Sequence, residues 1–272
     1  MAALAISSIG LVACHPVSDQ ELRDSRTESA QLTELHVEGG SGSVTLHRDT
    51  GATQTTIARH FRYTGTKPAL TGWDSTSGSV LSVNTACGGQ CALDYTITVP
   101  STLTVTGHLD SGRLDLSGIG TATLETTSGS VLVHDAAGDV NAGSDSGRLT
   151  VANVNGRLNL KSQSGSAEVD GVTGATTIST DSGSVRAHGL SGTETSVRTV
   201  SGSVSLDLTA AQDLTAQTDS GSLRISLPNG SYRLTQSTDS GHVSIGVPVD
   251  NVNGKYTLRL KTESGSITVT KT

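Results

Sequence analysis

Apolar residues return along this chain on a beat set by a Ser-Gly step. The glycine of that step stands at Gly112, Gly129, Gly147, Gly165, Gly183, Gly202, Gly221, Gly241 and Gly265, at intervals of 17 to 24 residues. Two positions after it come Leu114, Val131, Leu149, Ala167, Val185, Val204, Leu223, Val243 and Ile267. Four positions after it come Leu116, Val133, Val151, Val169, Ala187, Leu206, Ile225, Ile245 and Val269. Between these the chain is polar or charged, Leu132 excepted. Alternation of period two predicts a strand with one buried face. A second alternating pair precedes the step, as in Ala122/Leu124, Val140/Ala142, Leu158/Leu160 and Leu214/Ala216. Several units carry a further corner glycine, such as Gly138, Gly156, Gly174 and Gly192. Each unit therefore reads as strand, glycine corner, strand, Ser-Gly corner.

One such unit cannot bury its apolar face alone, whereas stacking gives each column a dry neighbour in the next unit. The fold class expected is all-β: a single-stranded parallel β-helix, or β-solenoid, of about 18 residues per coil. Its perimeter is roughly 59 Å at 3.3 Å per residue. Right-handed coiling is expected from the handedness of parallel crossovers. A left-handed hexapeptide helix repeats near the same length, but its six-residue apolar spacing is absent. Earlier Ser-Gly copies at Gly42 and Gly78 extend the repeat toward the N-terminus.

Three polar columns accompany the repeat. Thr or Ser stands three residues before the glycine and Ser immediately before it. By parity both should face inward, where hydroxyls can bond corner backbone groups. Nine equivalent serines argue against a nucleophile. Two before the glycine, acids alternate with other residues, which avoids stacking carboxylates about 4.8 Å apart. The alternation fails at Asp219, Asp239 and Glu263, which read as an exposed repulsive edge or, alternatively, as calcium ligands.

Composition adds limits. The 272 residues are only 2% aromatic, as a narrow aliphatic coil requires, and the formal charge of −7 lacks the basic face that nucleic acid needs. No apolar run is long enough for a membrane-spanning helix. Met1 to Ala13 reads as the end of a secretion signal. Leu11-Val12-Ala13-Cys14 resembles the lipobox of bacterial lipoproteins, although no Lys or Arg precedes the apolar run. The resemblance implies cleavage before Cys14, lipid on its thiol and a membrane as partner. A short buried segment with an ordinary cysteine is the alternative. Residues 14–33 are polar and charged and are expected to form a flexible tether of roughly 25 Å. Cys87 and Cys91, around Gly88-Gly89-Gln90, read as a disulfide outside the cytoplasm.

No catalytic motif, metal-ligand spacing or cofactor-binding loop is present. GGSGSVTLH from Gly39 is similar to the calcium-binding nonapeptide, but Val44 replaces its ligand Asp. Asp170, His188 and Asp207 share one outward column and could form an acid-base or metal stack, or an exposed ion ladder. Residues 34–107 are less regular, and the solenoid repeats proper are expected from 108 to 272. Phe61, Tyr63 and Trp73 in the irregular part form either a cap sealing the stack or a binding patch.

The repeated Ser-Gly-Ser-Val of 41–44, 77–80, 128–131, 182–185 and 201–204, with the stretch Asp94–Pro100, resembles the bacterial "putative adhesin" family, a β-helix group of unknown function. The resemblance covers about residues 34–272. It implies a surface protein and transfers no catalytic residue. The expected function is a non-enzymatic, lipid-anchored binding scaffold at the cell surface, with a cell-wall polymer or an envelope protein as partner. A glycan-active enzyme and an accessory of envelope signalling are the alternatives.

Overall fold

The computed structural model describes residues 19–272; the leader, Cys14 and the start of the expected tether lie outside them. Among these described residues every regular element is a strand, and the strands form one 13-stranded and one 12-stranded sheet. Strands that follow a Ser-Gly corner, from Arg113–Ser117 to Leu223–Leu227, run parallel in the first sheet. Strands that precede it, from Thr104–Leu109 to Asp213–Ser220, run parallel in the second. The architecture is therefore a two-sided β-solenoid, each coil giving one strand to each sheet.

The apolar columns set the register. Leu149 opposes Ala167, which opposes Val185, and each is at most 1% exposed. On the other sheet Leu158 opposes Val140. Each layer completes the next, so burial is shared along the whole stack.

The two hydroxyl columns behave differently. The one three residues before the glycine is internal. Thr126, Ser144 and Ser162 accept the backbone N–H of Gly129, Gly147 and Gly165 at 2.9, 2.6 and 2.8 Å. Further along, Thr218 and Thr262 donate to the carbonyls of Gly202 and Gly221, both at 3.0 Å. The serine beside the glycine was expected inward as well, but it is exposed in each of these coils. The corner resets the alternation: Gly112, Gly129, Gly147 and Gly165 are buried in its place.

The N-terminal end departs from expectation in three ways. Gln20–Glu28, within the expected tether, is a strand paired antiparallel along its whole length with Thr55–Tyr63. Its half-buried positions include Leu22, Asp24, Arg26 and Glu28; Arg59 and Asp74 of other elements pair with Asp24 and Arg26, and Arg26 also pairs with Glu28. Regular coiling also starts earlier than residue 108, since Glu34–Gly39 and Val44–Arg48 stack directly on Thr104–Leu109 and Arg113–Ser117. Finally, Ser77-Gly78-Ser79-Val80 is not a coil corner. It is the turn of a hairpin between Asp74–Ser77 and Val80–Asn84, with Gly78 at φ +60°.

The C-terminal end contains an inversion. The last coil, Tyr256–Ser264 and Ile267–Lys271, lies between the Gly221 coil and the Gly241 coil. The outermost layer is thus Tyr232–Ser237 with Val243–Ile245, and its core column carries Gln236 where inner layers carry Leu260 and Ala216. A polar residue is tolerated there because that position faces the open end.

Candidate functional site

On the outer face of the first sheet, Ala152 stands in a column between His134 and Asp170, and His188 follows Asp170. The adjacent column runs Thr150, Glu168, Arg186. The missing side-chain volume at Ala152 leaves a shallow depression of about 310 Å³, rimmed by Glu168, Asp170, Arg186 and His188. Carboxylates occupy one layer, and the guanidinium and imidazole occupy the next. Arg148 approaches Glu168 at 3.9 Å across exposed surface, a weak pair.

Asp207 does not complete the expected Asp-His-Asp stack. Ala187 opposes Leu206, but Leu190 opposes Leu208, so His188 and Gly189 together face one residue. Gly189 takes φ +67° in this bulge. The same left-handed corner recurs one coil after another at Gly118, Asp135, Asn153 and Gly171, and it is missing at Leu208. Asp135 and Asn153 adopt it because their short polar side chains tolerate it, and Asn153 Nδ2 donates to Asp135 Oδ1 at 2.8 Å. The one residue that His188 and Gly189 face is Asp207, which on its other side opposes Ser226; its Oδ1 is shielded and without a hydrogen-bond partner.

Asp170 and His188 are both exposed. A general acid would need a carboxyl withdrawn from water to stay protonated near neutrality. The rim instead suits weak polar contacts. Among the described residues, no group of three or more His, Cys, Asp or Glu could hold a metal ion.

The aromatic trio sits in the N-terminal cap. Phe61 is fully buried and Tyr63 is 7% exposed, while Trp73 is half-buried and meets Phe61 edge-on at 6.3 Å. Trp73 Nε1 donates to the Ala69 carbonyl at 2.6 Å, and the Tyr95 hydroxyl donates to the Trp73 carbonyl at 2.8 Å. Burial and the Asp74 charge push the Tyr95 phenol far above its ordinary range. This geometry seals the stack, and Phe61 has no surface to offer a ligand. Cys87 and Cys91 are joined in a disulfide beside the cap.

Sequence reasoning missed the charged clasp over that cap. Arg59 donates to Asp24 through Nε at 2.9 Å and to Asp74 at 2.8 Å, and Arg26 reaches the other Asp74 oxygen at 2.7 Å. The clasp joins the edge of the first sheet to the hairpin at the edge of the second. Its only sequence signal is the period-two spacing of Asp24, Arg26 and Glu28, whose counter-charges lie far along the chain.

A family model described as Toastrack DUF4097 matches residues 25–270. The chain belongs to this family. The Toastrack match runs from the N-terminal strand into the last coil, so it takes in cap and solenoid together. Solved structures of similar course include a "putative adhesin" of Bacteroides fragilis, 11% identical with a TM-score of 0.48, covering 91% of this chain and 97% of that one. A second, from Parabacteroides distasonis, is 11% identical with a TM-score of 0.42, covering 93% and 97%. A third, from Parabacteroides merdae, is 13% identical with a TM-score of 0.39, covering 93% and 96%. Comparison with curated proteins gives no match.

Proposed function

We propose that this Toastrack chain is a non-enzymatic binding scaffold on the bacterial cell surface, held to the membrane by lipid on Cys14. The observation that carries this reading is the pair of long sheets whose outward columns are polar and accessible coil after coil. Such rows suit many weak contacts acting together, on a cell-wall polymer or an envelope protein. The adhesin names of the similar solved structures and the Leu11–Cys14 segment point the same way. Full-length chain immobilised on beads and incubated with envelope fragments should retain a polymer or protein without turnover. Cys14→Ser should release the chain from the membrane fraction. The depression beside Asp170 and His188 is where a second reading, a glycan-active enzyme, would place its chemistry. Degradation of a polysaccharide, abolished by His188→Ala, would establish that reading and displace the first.

A further inference from the structure

One column on the outer face of the second sheet is chemically uniform. From Thr106 it runs through Thr123, Asn141, Asn159, Thr177 and Ser196 to Thr215, each the register partner of the next. Every member ends in a hydroxyl or an amide, and every one is exposed or half-buried. His36 bounds the run at one end and Arg259 at the other. At a strand spacing of about 4.8 Å the run covers about 29 Å.

Two ordinary explanations fall short. Strand propensity accounts for Thr but not for consecutive Asn, which strands disfavour. Charge avoidance does not require neutrality either, since the first sheet stacks Glu168 against Arg186 in its own outward column. The column is also little used by the protein. Among the described residues its side-chain bonds are His36 to Thr106 at 2.9 Å and Asn159 to Asn141 at 3.3 Å. The hydroxyls of Thr123, Thr177, Ser196 and Thr215 have no partner there.

The flanks select against charge. Asp139, Arg157, Glu194 and Asp213 lie along one side, and Glu125, Lys161 and Arg198 along the other. A polymer of uniform charge meets repulsion about as often as attraction. An uncharged polyhydroxylated chain meets neither, and its hydroxyls donate and accept as the column does.

We propose that this column is a hydrogen-bonding track for an uncharged, extended polysaccharide lying along the stack. This rests on the scaffold reading and supplies its face and ligand class. Each rung contributes little, and binding grows with the number of rungs engaged.

The test uses full-length chain in affinity electrophoresis through gels holding dextran or a mannan, with alginate as the charged control. Thr123→Glu, Thr177→Glu and Thr215→Glu together place carboxylates along the track. Thr150→Glu, Ser205→Glu and Thr268→Glu together do so on the first sheet. The expected result is retardation by a neutral polymer, strengthening with oligosaccharide length up to the span of the track. The second-sheet triple variant should weaken it about tenfold and the first-sheet triple should leave it unchanged. If the second-sheet triple melts early, Thr177→Glu alone replaces it. Retardation by alginate alone, or loss only with the first-sheet triple, overturns the inference. Envelope capture of a protein with no neutral polysaccharide also overturns it and leaves the scaffold reading standing. Capture of nothing overturns both.

Discussion

Gly147 rests against the backbone carbonyl of Gly129 in the preceding coil, so closely that a Cβ there would overlap the oxygen. The same relation joins Gly165 to Gly147 and Gly202 to Gly183. Backbone meets backbone at this corner, and the neighbouring serine is left to solvent. Gly147→Ala should therefore force two coils apart and cost about 2–4 kcal/mol. Ser146→Ala, one residue away, should stay within about 0.5 kcal/mol. Denaturant midpoints of the two variants separate a stacking role for the glycine from a bonding role for the serine, and similar losses in both would contradict the packing described.

What the sequence disclosed, and what it withheld, follows from how far each signal reaches. Leu149, Ala167 and Val185 sit at a fixed offset from a repeated glycine, so their stacking was readable without coordinates. Ser146 was misplaced because parity holds only along a strand, and the corner turns the chain between Ser144 and Gly147. Asp24 and Arg26 looked like tether because a strand with charged inward positions is stable only with partners, and Arg59 and Asp74 come from other elements. The Gly78 copy carried its own warning, since Ser82 stands where every true coil has an aliphatic residue. The broken register at Asp207 depends on one residue missing from a corner, a change too small to see in a repeat of variable length.

Asp74 is the shared acceptor of the clasp, with its side chain 3% exposed between Arg26 and Arg59. Asp74→Ala leaves both guanidinium groups facing a site without counter-charge. Removing one partner of a buried pair typically costs about 3–5 kcal/mol. Because Trp73 is the single tryptophan and lies in the cap, its fluorescence reports this region alone. The variant should lose the Trp73 signal in an early transition while the far-ultraviolet dichroism of the solenoid persists. Coincident transitions would show that cap and solenoid unfold as one unit.

Acid should loosen the N-terminal strand before the coils. The Thr76 hydroxyl, the Ala30 N–H and the Arg26 guanidinium lower the Glu28 carboxyl from 4.5 to about 2. Glu21 moves in the same direction, through His60 first and Arg23 second. A carboxyl depressed on folding adds stability that is complete above its unfolded value and is lost as pH falls toward its folded one. The attachment of Gln20–Glu28 should therefore weaken between about pH 4.5 and about pH 2. Glu21 is exposed and Glu28 half-buried, so added salt should shrink the effect, chiefly its Glu21 part. Amide exchange of this strand at pH 5 and pH 3 measures it, and Glu28→Gln should flatten much of the difference.

The inserted last coil makes a prediction about register. Thr215 opposes Arg259, which opposes Thr235, so Thr215 and Thr235 are two layers apart, about 9.6 Å. Cysteines at those positions lie beyond the roughly 7 Å limit on Cα separation for a disulfide, and the full-length double variant should stay reduced there. Removing residues 250–272 empties the layer between them. The Gly241 coil then has matched columns on which to settle, since Leu234 and Leu258 share a column with Leu214, and Val243 and Ile267 share one with Leu223. Gln236 stays at the open end in either arrangement. The truncated double variant should cross-link under mild oxidation, read as a mass loss of two hydrogens in the peptide pair. A truncated chain that keeps its strand content yet fails to cross-link would mean that the outer coil is held by the loop at Asn251, whose Oδ1 accepts the Leu234 N–H at 2.8 Å in the full chain, and not by its aliphatic columns.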